Sequence, residues 1–335
     1  MTNRIFFPAL VFIALLGACS GNHSKSGDTD QIALNASDSC VIGGEPETIW
    51  QLDIHGNHAA VYNSNDSGFI SVYSYPGFRH LYSYGRRGNG PDEWISKMYG
   101  RNGIGDGLMA YDIMKAALYR LEVTDSAISR TEIASLPQRD GHTVPYGRID
   151  RIAFDRFLAK ENNMDGSRLV ISDLSGDAPL AEYAAQIKSN GRIKGYPFDD
   201  FFFAASPERV LVAYENADLI DLLDLKNGNL ELVKRTGTPV EIDAAAAGKS
   251  DRRRYAMQVV ENGSRFFILI PTDGTLTSHL IRVIDSNGND ACSYLLDREI
   301  NHIAFDAKGR LIATAEKEEA NVAYTFILPS GHHGE

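Results

Sequence analysis

"YAMQVVENGSRFFILIPTDGTLTSHLIRVIDSNGNDACSYLLD", residues 255–297, carries three turn signals along one stretch: Asn262-Gly263, Asp273-Gly274 and Asn287-Gly288. They cut it into short segments rich in Val, Ile, Phe and Leu. An Asn-Gly or Asp-Gly step supplies the positive φ that a tight hairpin turn needs, so the segments read as strands joined by hairpins. Strands joined in this way form one antiparallel sheet.

The same grammar extends in both directions. "GFISVYSYPGFRHLYSYG" (68–85) gives two strands around Pro76-Gly77, and residues 108–134 give three, turning near Ile113-Met114-Lys115 and at Asp125-Ser126. Residues 151–185 turn at Asp165-Gly166 and Ser175-Gly176, 201–237 at Asn227-Gly228, and 300–328 at Lys308-Gly309. Units recurring at roughly forty residues indicate a propeller or solenoid. The predicted fold is all-β, a six-bladed β-propeller of four-stranded sheets. A parallel solenoid fits worse because the units are hairpin-connected and uneven in length, and a pair of β-sandwiches stays open. Helical periodicity is scarce; 241–258, broken by Gly248, reads as a short excursion between blades. The last unit supplies three strands, 301–306, 310–316 and 322–328, while "TIWQLDI" (48–54) has no hairpin partner of its own. Set on the edge of the final sheet, that N-terminal strand would join the C-terminal blade, cover its edge and close the ring.

Between two of these strands lies "GRRGNGPDEW" (85–94). Gly85, Gly88 and Gly90 permit positive φ, and Pro91 disfavours helix at Gly90. A phosphate-binding loop would need Gly-Lys-Ser/Thr or GxGxxG opening a helix, and neither is present. Two readings remain. One is a corner between blades, with Arg86 or Arg87 paired to Asp92 or Glu93 and Trp94 as an apolar plug. The other is a funnel-side loop whose guanidinium groups hold a carboxylate or phosphate, with Arg148 in "YGRID" (146–150) and the arginines of "RRRY" (252–255) adding a cationic lining.

The step "LYSYGRRGNGPDEW" resembles the joint after a strand in the TolB-like six-bladed propeller lipoproteins of Bacteroidetes, and also that of NHL-repeat propellers. "IAFDAKGRLIATAEK" (303–317) is similar to the second half of an NHL repeat, a strand, Asp-x-x-Gly-Arg and another strand. Trp94 stands where Phe is usual. The resemblance implies a fold and a location rather than a reaction.

Arg4, the apolar run 5–16 and Leu16-Gly17-Ala18-Cys19 form a short export signal, too short to span a bilayer comfortably. The last four residues resemble the lipobox of bacterial lipoproteins, which implies that Cys19 is the acylated first residue of the mature chain. The expected layout is a signal peptide at 1–18, Cys19 and a polar tether to residue 40, and a propeller from 41 to 335. The location implied is an outer-membrane lipoprotein on the periplasmic or the cell-surface face, with the membrane as partner through the anchor. Net charge is −11, which argues against nucleic acid and leaves an envelope protein or a small anionic ligand as candidate partners.

Cys40 and Cys292 are the other two cysteines; in an exported chain they either join as a disulfide or stay as two thiols. The nine histidines show no HExxH or zinc spacing, and no GxSxG elbow is present. Asp199 and Asp200 in "YPFDDFFF" are a paired-acid candidate for Ca²⁺, but neighbours on a strand point to opposite faces, so Phe201 and Phe203 packing inward explains the stretch better. No cofactor is expected for a binding protein. Ca²⁺ belongs to the alternative, a lactonase-like hydrolase or lyase with a metal deep in the axial tunnel. A purely structural envelope component is the third reading.

Overall fold

The computed structural model describes residues 30–329 except 44–47, 66, 103–106, 164–165, 176–177, 190–199, 226–227, 240, 243–253, 273–274 and 319. Cys19, Asp199 and most of the helical candidate 241–258 lie outside the described residues, and among those described there is no α-helix. The fold is all-β, with its strands grouped in sheets as in a β-propeller.

Two strands, β1 (Gln31–Leu34) and β2 (Asp38–Val41), come first. The first antiparallel meander is β3 (Ile49–His55), β4 (His58–Asn63), β5 (Ile70–Ser74) and β6 (His80–Tyr84). The second is β7 (Lys97–Asn102), β8 (Leu108–Asp112), β9 (Ala117–Val123) and β10 (Ile128–Ser135), followed by a small ladder of β11 (Gln138–Arg139) with β12 (His142–Thr143). The third is β13 (Tyr146–Ala153), β14 (Arg156–Asn163), β15 (Gly166–Ser172) and β16 (Ala181–Ala184). The short β17 (Lys188–Ser189) precedes the fourth, β18 (Phe201–Ala205), β19 (Arg209–Tyr214), β20 (Leu219–Asp224) and β21 (Glu231–Gly237). After β22 (Glu241–Ile242), which pairs in parallel with β17, comes β23 (Gln258–Asn262), β24 (Arg265–Ile270), β25 (Ser278–Ile284) and β26 (Asp290–Ile300). The sixth unit is β27 (His302–Phe305), β28 (Leu311–Ala315) and β29 (Val322–Phe326), completed by β2 on its edge.

Middle strands are buried on both faces, as every residue of β8 and β28 is. That is why they read as continuous apolar runs, whereas outer strands such as β10 alternate toward solvent. The apolar clusters lie between units. Leu121 packs with Tyr62 and Trp94, Phe157 with Tyr111, and Val212 with Leu169. Ile268 packs with Leu211, and Phe326 with Tyr294. Ile312 and Ala323 of the sixth unit pack with Leu52 and Val61 of the first. At the same junction the Tyr75 hydroxyl donates to Asp306 (2.9 Å), and Arg310 pairs with that carboxylate (2.7 Å). The Asp-x-x-Gly-Arg stretch is therefore a turn that links two units.

The edge strand of the last sheet is not 48–54. Residues 49–55 form β3, which has a hairpin partner after all: β3 and β4 turn at Gly56-Asn57, with Gly56 at φ 54°. The covering role falls to β2, antiparallel to β29, and β1 adds in parallel to β26. Residues 31–34 and 38–41, all but Val41 read as tether, are thus strands; each is only four residues long with no hairpin partner beside it, and partners more than 260 residues away hold them, with contacts such as Ser37 to the Thr325 carbonyl (2.9 Å) between the two.

β7 and β13 meet in a short parallel ladder that joins two units into one eight-stranded sheet. Gly100 makes this possible, because a Cβ there would lie 2.2 Å from the Ile149 carbonyl oxygen. Gly100→Ala should force the two strands apart and lower stability by about 1–3 kcal/mol, as overpacking does; a urea midpoint equal to wild type would show that the ladder has slack.

Candidate functional site

The six first strands all begin around one cavity of 510 Å³. It takes Gln51 from β3, Tyr99 from β7, Arg148 from β13, Phe202 from β18, Gln258 from β23 and His302 from β27. The segments that follow the second strands β19, β24 and β28 bring Glu215, Leu276 and Glu316 to the same mouth. Most of the wall is apolar or aromatic, with Trp50 39% exposed at its edge. Below the mouth a narrower space of 170 Å³ continues between Asp53, Arg101, Arg148 and Glu261.

Strand pleating explains who lines this axis. Residues two apart share a face, so Gln51 and Asp53, Tyr99 and Arg101, and Arg148 and Asp150 each project together. The Arg148 guanidinium is bidentate on Asp150 (2.9 and 2.7 Å) and lies over the Phe203 ring (4.8 Å). Burial works against the charge on Arg148, but Asp150 more than offsets it and the guanidinium pKa ends above its ordinary value. Asp150 also accepts the Arg101 backbone N–H (3.1 Å). Arg101 in turn reaches Glu261 (3.7 Å). Asp53 accepts from the Gln51 amide (2.6 Å); burial among protein atoms raises its pKa, although it keeps some surface on the channel. The Gln258 side chain bonds both main-chain groups of Ile303 (3.0 and 2.8 Å), standing in for a ladder between β23 and β27.

At the rim Arg254 pairs with Glu215 (3.0 Å), and Glu316 accepts the Ile49 N–H (2.9 Å). His302 lines the cavity yet is enclosed by protein atoms, and burial pushes its imidazole down to about 4. The unfolded chain then binds this proton at higher pH than the folded one. The contribution of His302 is complete above about 6.5 and declines as pH falls toward 4. Urea unfolding at pH 7.5 and pH 5 should show a loss of stability that His302→Gln lacks; equal losses in the two proteins would place the titration elsewhere.

The "GRRGNGPDEW" residues are a corner. The stretch follows β6, and Arg86, Arg87, Asp92, Glu93 and Trp94 line neither part of the axial cavity. Arg86 pairs with Glu93, whose other oxygen accepts the Gly90 N–H (2.8 Å). That N–H first, then Arg86, hold the Glu93 carboxyl below its ordinary pKa. Gly88, at φ 158°, packs where a Cβ would stand 2.1 Å from Glu93. Arg87 and Trp94 form a backbone bridge, and Lys115 donates to the Gly90 and Glu93 carbonyls (2.7 Å each). Asp92 is solvent-exposed, 3.6 Å from Arg130. Among the described arginines of those stretches, Arg148 and Arg254 reach the cavity and Arg86 and Arg87 do not. Arg148 does so from a strand rather than from a loop.

Cys40 and Cys292 are not joined to each other: Cys40 sits on β2 near the Gly77 carbonyl (3.0 Å), and Cys292 is buried on β26 in a different sheet. Asp200 is paired with Lys160 and accepts the Phe201 N–H (2.8 Å), while Phe201 and Phe203 are buried as expected. Sequence reading missed β7 and with it Tyr99 and Arg101. "KMYGRN" has a central glycine and two cations; the usable signal was the spacing of two polar residues two apart, shared with "QLD" and "RID".

No family model matches the chain, and no curated protein does. Among solved structures, the chain is similar to a candidate exported protein of Bacteroides fragilis at 10% identity, with TM-score 0.52 over 90% of this chain and 100% of that one. It is also similar to a gluconolactonase of Xanthomonas campestris at 10% identity, with TM-score 0.50 over 87% of this chain and 98% of that one. At these identities the likeness is one of fold, and it supports an all-β, propeller-like architecture.

Proposed function

We propose that the chain is a lipid-anchored cell-envelope protein of the TolB-like kind, a six-bladed propeller that binds a ligand or partner protein at the axial cavity without transforming it. Six meanders, a core between each unit and the next, and a sixth unit packed on the first support a closed ring. The lipobox-like Cys19 supports the anchor, and the likeness in fold to a candidate exported protein accords with it. One observation carries the binding reading. The 510 Å³ cavity is mostly apolar and aromatic, and its charged groups are already committed: Arg148 to Asp150, Arg254 to Glu215, Glu316 to Ile49. Such a wall holds a ligand through area and a few oriented polar groups.

A lactonase-like hydrolase with an axial metal would need several oxygen or nitrogen donors converging on one point. The described residues do not fit: no group of three His, Cys, Asp or Glu converges, and Asp150 and Asp200 are held by Arg148 and Lys160. The test is a thermal-shift series with anionic sugars, peptides, Ca²⁺ and EDTA. A ligand at a hundred times its dissociation constant adds about 2.7 kcal/mol. The expected shift disappears in Trp50→Ala and survives in Arg86→Ala/Arg87→Ala. A shift with Ca²⁺ that EDTA abolishes would turn the reading to the enzyme, and no shift with any probe would leave a structural envelope component.

A further inference from the structure

We infer that the face opposite the cavity mouth lies against the membrane that holds Cys19, so that the cavity opens away from the bilayer. The inference rests on the lipid-anchor reading and adds a direction to it. β23 begins at the cavity, and three antiparallel pairings later β26 runs back toward it, ending at Ile300 beside the cavity residue Asn301. β1 is parallel to β26, with Gln31 opposite Ser293 and Leu34 opposite Leu296, and the Ser293 N–H donates to the Asp30 carbonyl (3.0 Å). The chain therefore enters the fold at the far end of β26, near the Asp285–Asn289 turn, on the face away from the mouth.

Position decides what that face meets. Ser20 to Asp30 is eleven residues, a span of at most about 40 Å even when fully extended. Strands of mostly five to eight residues run between the two faces, a depth of about 17–26 Å at about 3.3 Å per residue. Turning the mouth to the bilayer would use about half of the reach in running back along the fold, whereas the entry face meets it directly. The same face carries the turn after β13, where Phe154 is 84% exposed. The Arg151 guanidinium lies over its ring (5.3 Å) and donates to its carbonyl (2.8 Å), while Arg156, two residues on, is paired with Asp155 (2.8 Å). An exposed aromatic tip with a cation stacked on it suits the boundary of acyl chains and phosphates.

The test uses the full acylated chain in vesicles containing dansyl-labelled lipid, read as energy transfer from tryptophan. Phe154→Trp reports the entry face and Leu276→Trp the mouth, both at exposed turns. Transfer should rise above wild type for Phe154→Trp and stay at the wild-type level for Leu276→Trp. A rise from Leu276→Trp equal to or greater than that from Phe154→Trp overturns the orientation while the anchor stands. Failure of the wild-type chain to float with the vesicles overturns the anchor reading, and the orientation with it.

Discussion

Trp94→Ala should lower the unfolding free energy by about 3–5 kcal/mol, the range for removing a fully buried large aromatic. The indole is 0% exposed and meets Phe69 and Tyr119 edge-on at 5.0 and 5.1 Å. Arg130 stacks over both Trp94 and Tyr119 at 5.3 and 4.6 Å. The residue belongs to the core between the first two units, so truncation opens a cavity at a junction rather than inside one sheet. Gly85 is pinned by the same group of rings, since a Cβ there would fall 2.2 Å from Phe69. For a chain of this size the midpoint should fall by roughly 5–8 °C. Trp94→Phe should retain more than half of the lost stability. A midpoint for Trp94→Ala within about 2 °C of wild type would remove the plug from the account of this corner.

Arg148→Met should cost about 3–5 kcal/mol, because it leaves the Asp150 carboxylate buried without its cation. Asp150 is 3% exposed and has as its remaining partner the Arg101 N–H. Adding Asp150→Asn should recover much of the loss, since the uncompensated charge and not the missing side chain dominates it. The double variant separates two roles for Arg148. If stability returns but a ligand of the cavity still binds, Arg148 positions the channel wall. If stability returns and binding does not, its guanidinium touches the ligand. Single and double variants that lose equal stability would mean that Asp150 exerts no charge penalty.

Local turn chemistry was legible at the Asn-Gly and Lys-Gly steps: Gly228, Gly263, Gly288 and Gly309 lie at φ 57° to 77°, each at a step the sequence marked as a turn, whereas the Gly56-Asn57 turn, with Gly56 at φ 54°, was missed. Phe201, Phe203 and Trp94 were legible as core because a large aromatic next to a turn has few other uses. The channel was not. Tyr99, Arg101 and Arg148 look like ordinary loop residues until six strands from distant parts of the chain stand side by side. Whether Arg86 faces a funnel or a neighbouring Glu93 is likewise a matter of where the corner sits against its neighbours.

What the sequence by itself determined is the repeating hairpin, because a turn depends on two or three residues and strand pairing follows from it. It also determined that the corner at Gly85–Trp94 is neither a P-loop nor a dinucleotide-binding loop, since it carries neither glycine signature. Tertiary structure alone decided which N-terminal strand covers the last sheet. β2 does so and β3 does not, although β3 is longer and more apolar, because β3 finds β4 across the two-residue Gly56-Asn57 turn and is no longer available. It also decided which polar residues face the axis. That choice is made by contacts between units, such as Gln258 with Ile303 and Gly100 with Ile149, which leave no mark on the residues near them in the chain.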